Sequence, residues 1–284
     1  MKSFNDTGGK FDVDALNAEE IFRQIGRQRV IGCTGEIHQT VSSTMDLAKT
    51  QARTGVPDGY VVLAEEQTHG RGRDGSWTCS PQKGILMTTV LHAGLSRKDR
   101  RLLSIIGPLA ATEVVRDSGV EAWIKWPNDI VVVDSLSPLS LRKIGGTLIE
   151  QSARGDAAPT HLLGLGLNVN QQSEELTDSP KTAATSLRIE NGGRAVERNR
   201  LCRRLLDSLD EWYGALCHGK KQPLLKRWQE LNCLVGNEIR VKSRNTILRG
   251  YVQQMCISGE LLLQTSDNQT HRLSPETTRV LLDD

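Results

Sequence analysis

Hydrophobic and polar residues along the chain alternate between helical and strand-like spacing. Apolar residues recur at helical spacing over residues 16–25, after the cap-forming Ser42, Ser43 and Thr44, over 102–118 and over 201–216, and a further helix is predicted to begin at Pro223. Short apolar runs typical of strands lie between these segments, at 60–64, 85–91, 121–125, 130–133, 144–151 and 161–169. The pattern predicts an α/β domain in which a mixed sheet is flanked by helices.

After Asn232 the pattern changes to short strands separated by turns, at 235–241, 248–252, 259–263 and 272–273. Such even spacing of short strands is typical of a small β-barrel. We therefore predict two domains, residues 1–232 and residues 233–284.

Composition narrows the class of protein further. A hydrophobic content of 37% is enough for a packed core, and a net charge of +2 does not select nucleic acid or a membrane as partner. The sequence contains no apolar run long enough for a membrane span and no secretory signal, so the cytoplasm is the expected location. The six cysteines are scattered without a CxxC pair, which argues against a zinc cluster and a disulfide framework.

A loop at residues 70–75, GRGRDG, is the first candidate for chemistry. Its glycines let the backbone approach a ligand closely, and Arg71 and Arg73 offer forked donors for a carboxylate or a phosphate. Taken alone, such a loop is more often a solvated turn.

Three further segments present polar groups where strands begin or end. In KWPND, residues 125–129, Pro127 restricts the backbone around the polar residues. In KIGGTLIE, residues 143–150, a lysine precedes paired glycines that leave room for a flat ligand, and GLGLNVN, residues 164–170, has small residues along one face. Each segment alone also fits an ordinary turn or packed strand.

Taken together, in this order and at this spacing, the segments closely resemble the biotin–protein ligase family. The resemblance covers about residues 35–190, and the matching segments are STMD at 43–46, EQTHGRGR at 66–73, Trp77, SP at 80–81, GIL at 84–86, KWPND, KIGGTLIE, GLGLNVN and ATSL at 184–187. It implies a class II synthetase-like catalytic domain with a small C-terminal SH3-like β-barrel. It also implies an enzyme that activates biotin with ATP and Mg²⁺ to biotinyl-5'-AMP and transfers biotin to a lysine of a biotin carboxyl carrier protein.

The resemblance assigns roles to fifteen residues. As catalytic residues it implies Lys143, Arg73 and Lys125. For biotin it implies Ser43, Thr44, Met45, Gln67, Arg71, Gly72, Arg73, Lys143, Gly146 and Gly166. For ATP it implies Arg71, Arg73, Trp77, Asn128, Asp129 and Asn168, with Asp129 also a contributor to the Mg²⁺ shell.

The sequence departs from the family pattern at three places. Met45 stands where Asn is common, and Asp74, Gly75 and Ser76 replace further basic residues in a segment that is one residue short. We expect weaker retention of the adenylate from the second departure. The stretch 134–142 is longer than usual and predicts a surface excursion between strands.

Alternatives remain open at this level. A lipoate or octanoate ligase or transferase shares the catalytic fold, and a biotin-binding module without turnover would fit the altered loop. The segment before the first motif is too short for the DNA-binding domain of the regulatory members, so no DNA partner is expected. A homodimer is common in the family, but no sequence feature tests it.

Overall fold

The computed structural model describes residues 15–23, 29–73, 75–92, 94–134, 137–152, 159–176, 183–256 and 259–281. Six α-helices lie in these residues: α1 (Ala18–Phe22), α2 (Thr44–Thr54), α3 (Leu103–Asp117), α4 (Leu187–Glu190), α5 (Arg198–Cys217) and α6 (Lys221–Leu231).

Ten strands precede residue 190: β1 (Gly35–Val41), β2 (Tyr60–Gln67), β3 (Arg71–Gly72), β4 (Gly75–Ser76), β5 (Gly84–Leu91), β6 (Ala122–Lys125), β7 (Asp129–Asp134), β8 (Ser137–Ser152), β9 (Thr160–Asn168) and β10 (Ala183–Ala184). Eight of them form one mixed sheet in the order β1-β2-β5-β9-β8-β7-β6, with β10 added to β8, while β3 and β4 pair as a separate two-stranded ribbon. The predicted mixed sheet flanked by helices is therefore confirmed.

The two faces of this sheet are covered by different helices. Along β2, Val61 and Leu63 join the large core under α3 and α5, whereas Val62 between them packs with Ala48 and Ala52 of α2. This alternation follows from the two-residue period of a strand, which sends neighbouring side chains to opposite faces. As a result, the α2 face carries a small apolar cluster and leaves room for a cavity beside it.

The C-terminal strands are β11 (Glu238–Ser243), β12 (Thr246–Met255), β13 (Leu261–Thr265), β14 (Thr270–Leu273) and β15 (Thr278–Leu281). They form an antiparallel sheet in the order β14-β13-β12-β11-β15. This sheet is compatible with the SH3-like module, but within the described residues β14 and β15 remain at opposite edges, so the predicted closed barrel is not seen. The predicted division at residues 232 and 233 stays a prediction.

Local signals located several element ends correctly. The Ser43 side chain caps α2 by accepting a hydrogen bond from the Met45 amide at 3.3 Å, and Gly55 ends the helix in the left-handed region.

The surface excursion expected at 134–142 was wrong in part, because β8 already begins at Ser137 and extends the hairpin with β7. Helix α6 begins at Lys221, two residues before the predicted Pro223.

A buried ion pair joins the helical layer to the sheet. Arg198 at the start of α5 donates to the Glu65 carboxylate of β2 at 2.7 Å, and the two side chains are 0% and 2% exposed. Arg198 also donates to the Gly84 carbonyl of β5, and Glu65 accepts from the Leu16 amide at 2.7 Å. The pair thus holds four separate segments together.

No helix in the described part of the chain is both long enough and apolar enough to cross a membrane.

We predict that Arg198→Met lowers the free energy of unfolding by about 3–5 kcal/mol, because it leaves the Glu65 carboxylate buried without its cation. Urea unfolding would measure the change. Arg204→Met is the matched control in the same helix, since its pair with Asp117 is largely exposed and should contribute under about 1 kcal/mol. Equal losses in the two variants would contradict the prediction.

Candidate active site

A narrow slot lies on the α2 face of the sheet, between α2, the 70–77 loop and strands β5, β8 and β9. Twelve of the fifteen residues singled out in the sequence line it: Ser43, Thr44, Met45, Gln67, Arg71, Gly72, Arg73, Trp77, Asn128, Lys143, Gly146 and Gly166. Lys125, Asp129 and Asn168 lie outside this lining. Residues from five separate segments therefore converge on one place, as the resemblance requires.

Gln67 at the end of β2 is fixed against the start of α2. The Thr44 amide donates to Gln67 Oε1 at 2.7 Å, and the Thr44 hydroxyl donates to the same oxygen at 2.9 Å. Gln67 Nε2 lies 2.7 Å from the position that a Cβ atom on Gly70 would take. A glycine at residue 70 therefore makes room for the amide.

Trp77 fills much of the slot. A Cβ atom on Gly166 would lie 2.3 Å from Trp77 Cε2, so only glycine lets the ring rest against β9. Lys143 Nζ lies 5.6 Å from the centre of the Trp77 ring, within range of a cation–π contact. Trp77 Nε1 is buried and has no hydrogen-bond partner among the described residues. In this position the ring therefore leaves a donor unsatisfied.

Arg71 spans the slot and is held at both sides. Its guanidinium contacts Asp46 of α2 at 2.7 Å and Glu150 of β8 at 3.4 Å. The hydrogen bond to the Asp46 carboxylate, together with Glu150, raises the pKa of Arg71 above its usual value. Arg71 is thus a fixed cation across the slot, and neither carboxylate that holds it had been given a role from the sequence.

Arg73 reaches away from the slot and into the C-terminal sheet region. Its guanidinium donates to the carbonyl oxygens of Pro275 and Thr278. The structure therefore connects the loop to the C-terminal module through Arg73, a contact that the sequence did not indicate. Of the altered loop, Gly75 and Ser76 form β4, and Asp74 lies outside the described residues.

Lys143 points into the slot from β8 and pairs with Asp129 on β7. The distance from Lys143 Nζ to Asp129 Oδ1 is 2.5 Å, and both side chains are partly exposed. Lys125 is buried and lies opposite Asp129 in the β6–β7 hairpin. The ion pair of Lys143 with Asp129 therefore joins the KWPND and KIGG segments, and Lys125 lies on the strand at the other side of β7.

The two asparagines predicted on the nucleotide side differ in their surroundings. Asn128 Nδ2 donates to the Thr147 carbonyl at 2.5 Å while the residue still lines the slot. Asn168 is buried, donates to the Thr185 carbonyl and accepts from Gln171 Nε2. Asn168 therefore fixes the chain after β9 and does not reach the slot.

Cys79 lies two residues after Trp77, next to the slot. Burial raises the pKa of its thiol to about 12, so the thiolate is scarce at neutral pH. Its Sγ accepts a hydrogen bond from Gln171 Nε2 at 2.9 Å. Cys79 is thus a packed side chain beneath the loop.

The described residues contain no cluster of three or more His, Cys, Asp or Glu side chains that could hold a metal ion. Asp129, the predicted contributor to a Mg²⁺ shell, already faces the ammonium of Lys143.

A much larger groove opens beside the slot and shares Arg73, Asn128, Thr147 and Leu148 with it. Its volume is about 820 Å³ against about 50 Å³ for the slot. Arg97, Arg100 and Arg101 form one rim, and the C-terminal module forms the other, with Glu260 and Glu276. The groove is therefore continuous with the slot through the four shared residues.

Comparisons with known proteins agree with this geometry. Residues 37–170 match the Biotin/lipoate A/B protein ligase family. The chain is 28% identical to the bifunctional ligase/repressor BirA of Bacillus subtilis (strain 168), over 81% of this chain and 69% of that protein. It is 30% identical to the biotin–[acetyl-CoA-carboxylase] ligase of Mycobacterium tuberculosis, over 72% of this chain and 73% of that protein. Its fold resembles that of the biotin protein ligase from Aquifex aeolicus, solved in complex with biotin and ATP, with a TM-score of 0.71. The two sequences are 22% identical, and the match covers 87% of this chain and 99% of the Aquifex chain.

We predict that Gly70→Ala opens the loop, because its Cβ atom would lie 2.2 Å from the Trp77 carbonyl oxygen. The hydrogen bond from the Trp77 amide to the Gly70 carbonyl, 2.9 Å long, should break. Hydrogen exchange of the Trp77 amide should then quicken about tenfold or more, in proportion to the opened population. Gly72→Ala is the control, since its nearest contact is 3.3 Å. Unchanged exchange in Gly70→Ala would contradict the prediction.

Proposed function

Because the chain belongs to the biotin protein ligase family, we propose that it is an ATP-dependent biotin ligase. In the first step, the biotin carboxylate attacks the α-phosphorus of ATP, which forms biotinyl-5'-AMP and releases pyrophosphate. In the second step, the amine of a lysine on a biotin carboxyl carrier protein attacks the acyl carbon and releases AMP. The observation that carries the proposal is the convergence of twelve sequence-selected residues on one slot.

The slot has a donor-rich end for the ring of biotin. Ser43, Thr44 and Gln67 meet there, and the bonds from Thr44 to Gln67 Oε1 turn the amide hydrogens of Gln67 away from Thr44. Gly146, Gly166 and Met45 supply the flat and apolar walls. A polar bicyclic head with an aliphatic tail suits such a lining.

The charged end of the slot fits the first step. This step brings a carboxylate and a polyphosphate together, so the site has to offer positive charge in place of a covalent nucleophile. Lys143 supplies that charge from β8, and Arg71 supplies it from the loop. Asp129 orients Lys143 through their ion pair, and Lys125 adds a second positive charge behind Asp129.

Arg73 has a different role in this proposal. Its bonds to the carbonyls of Pro275 and Thr278 anchor the loop to the C-terminal module. Closure over the adenylate would transfer this guanidinium from neutral carbonyls to the phosphate, a stronger acceptor. The closed loop would shield the mixed anhydride from water until the carrier lysine arrives.

Mg²⁺ is proposed as a companion of the ATP phosphates, bound mainly by their oxygens. This agrees with the preference of Mg²⁺ for phosphates and water over an all-protein cage and with the lack of a three-residue acidic or His/Cys cluster in the described ranges. Asn128, which lines both the slot and the groove, and Trp77, which lines the slot, would contact the nucleotide.

The carrier protein is proposed to dock in the large groove. The groove shares four residues with the slot, so a lysine presented there would reach the acyl carbon. Its basic rim at residues 97–101 favours a carrier with acidic residues around the target lysine.

A lipoate or octanoate ligase is the alternative enzyme, and a biotin-binding module without turnover is the alternative from a different class. Incubation with each acid, ATP and pyrophosphatase separates the two kinds of ligase. Only the acid that the enzyme adenylates causes release of pyrophosphate from ATP, and pyrophosphatase converts this pyrophosphate to phosphate, which can be measured. ATP–pyrophosphate exchange separates a ligase from a binding module. Adenylation of lipoate without adenylation of biotin would exclude our proposal.

Homodimerisation, the lack of a DNA partner and a cytoplasmic location stay predictions.

We expect Lys143→Ala to lower biotin-dependent ATP–pyrophosphate exchange by about 100-fold or more, because it removes a cation from the reacting centre. The urea midpoint should change little, since Lys143 is partly exposed and its pair lies at the surface of the slot. Lys242→Ala, an exposed lysine of β11, serves as control. A near-normal exchange rate would remove Lys143 from the mechanism.

Reversal of charge on the basic rim, Arg97→Glu with Arg101→Glu, should raise the KM for the carrier by about tenfold, because charge complementarity steers association. Exchange with biotin and ATP alone should be unaffected. The effect should shrink at high salt as screening weakens the attraction. Arg240→Glu with Lys242→Glu, at two exposed residues of β11, makes the same change in net charge, and an equal KM in both double variants would place the carrier elsewhere.

A further inference from the structure

Thr88 lies at the floor of the slot, and neither the sequence motifs nor the family resemblance gave it a role. It is in the middle of β5 and 0% exposed. Its hydroxyl oxygen lies 2.9 Å from that of Thr44 and also faces Gly164 on the neighbouring strand. It therefore belongs to the slot face of the sheet and is one of the residues that line the slot.

The direction of the hydrogen bonds at this floor can be worked out from Thr44. A backbone N–H can only donate, so the Gln67 atom that lies 2.7 Å from the Thr44 nitrogen has to be the carbonyl oxygen of the amide. The Thr44 hydroxyl lies 2.9 Å from the same oxygen and donates to it. The single hydroxyl hydrogen of Thr44 is then used.

It follows that Thr88 donates and Thr44 accepts in the bond between the two hydroxyl groups. The chain of donors runs from Thr88 to Thr44 and from Thr44 to Gln67. Both hydrogens of Gln67 Nε2 are consequently directed away from Thr44, toward the side where Gly70 leaves room. If the Thr88 hydroxyl were lost, the Thr44 hydroxyl oxygen would lose its buried donor, and the bond from Thr44 to Gln67 Oε1 would no longer be reinforced by a neighbouring hydrogen bond.

We propose that Thr88 is a positioning residue for the ligand head, acting through Thr44 on the amide of Gln67. Through this chain the slot presents fixed N–H donors to an acceptor on the ligand ring. The inference rests on the proposed biotin ligase function, because it specifies how the same slot orients its acid substrate. Thr88 itself touches neither the reacting carboxylate nor the nucleotide end.

The neighbouring residue offers a matched control. Thr89 is the same residue type in the same strand and is also 0% exposed. It pairs with Val61 and Leu163, both in the core under α3 and α5, and its hydroxyl has no partner among the described residues. Replacing Thr89 with Val therefore makes the same chemical change on the face opposite the slot.

The test compares Thr88→Val, Thr88→Ser and Thr89→Val with the wild type. Calorimetric titration gives the Kd for biotin, and ATP–pyrophosphate exchange gives kcat and the KM for biotin. Loss of one buried hydrogen bond should raise the Kd and KM about fivefold to tenfold in Thr88→Val, with kcat within about twofold. Thr88→Ser keeps the hydroxyl and should retain wild-type affinity, and Thr89→Val should bind biotin as the wild type does.

Three results would overturn the inference. The first is a wild-type Kd in Thr88→Val, and the second is an equal loss in Thr88→Ser. The third is an equal loss in Thr89→Val, which would indicate general disturbance of β5. If Thr88→Val does not fold, Thr88→Ala replaces it, and equal affinities of the Ala and Ser variants contradict the role.

A wild-type protein that neither binds biotin nor exchanges pyrophosphate would overturn the proposed function and this inference with it. A wild-type protein that does both, together with an unaffected Thr88→Val, would overturn the role of Thr88 alone.

Discussion

The buried pair of Glu65 and Arg198 joins elements that the site requires in fixed positions. Glu65 lies two residues before Gln67 on β2, and Arg198 bonds to the first residue of β5, the strand that carries Thr88. Charges without access to water are costly unless every lone pair and hydrogen has a partner. Here the Leu16 amide and the Gly84 carbonyl contribute such partners. The bonds that hold α5 to the sheet thereby also connect β2 and β5, the strands that carry Gln67 and Thr88.

The slot itself results from a change of residue size along one face of the sheet. On β9, Leu162 packs with α2, and two and four residues later the same face carries Gly164 and Gly166. The backbone continues without a change of direction, but the side chains that would fill the space are missing. Met45 extends into part of this space toward Gly164, and Trp77 occupies the part next to Gly166. Position on a regular strand, and not an irregular loop, therefore defines the walls of the site.

Much of the site could be predicted from the sequence because its residues lie in short segments with strong local constraints. Pro127, the paired glycines after Lys143 and the Ser43 cap each restrict the backbone without help from distant residues. The contacts that complete the site join residues far apart in the chain. Arg71 meets Glu150, and Arg73 meets Pro275 and Thr278. Such pairings depend on the order of strands and the packing of two sheets, which local periodicity does not contain. The early start of β8 and the open edges of the C-terminal sheet were missed for the same reason.

The position of the Trp77 ring against Gly166 has a consequence for ligand affinity. A slot of about 50 Å³ is well below the size of cavities that bind small molecules, typically about 300–1,000 Å³, so the indole ring and a bicyclic ligand compete for one volume. A ligand of that size would enter only in the fraction of molecules in which the ring has left, and its apparent affinity would be reduced by that fraction. Trp77 Nε1 is buried and has no hydrogen-bond partner among the described residues, which makes this position of the ring less stable than its apolar contacts alone would make it. The ring would thus act as an intramolecular competitor of the ligand.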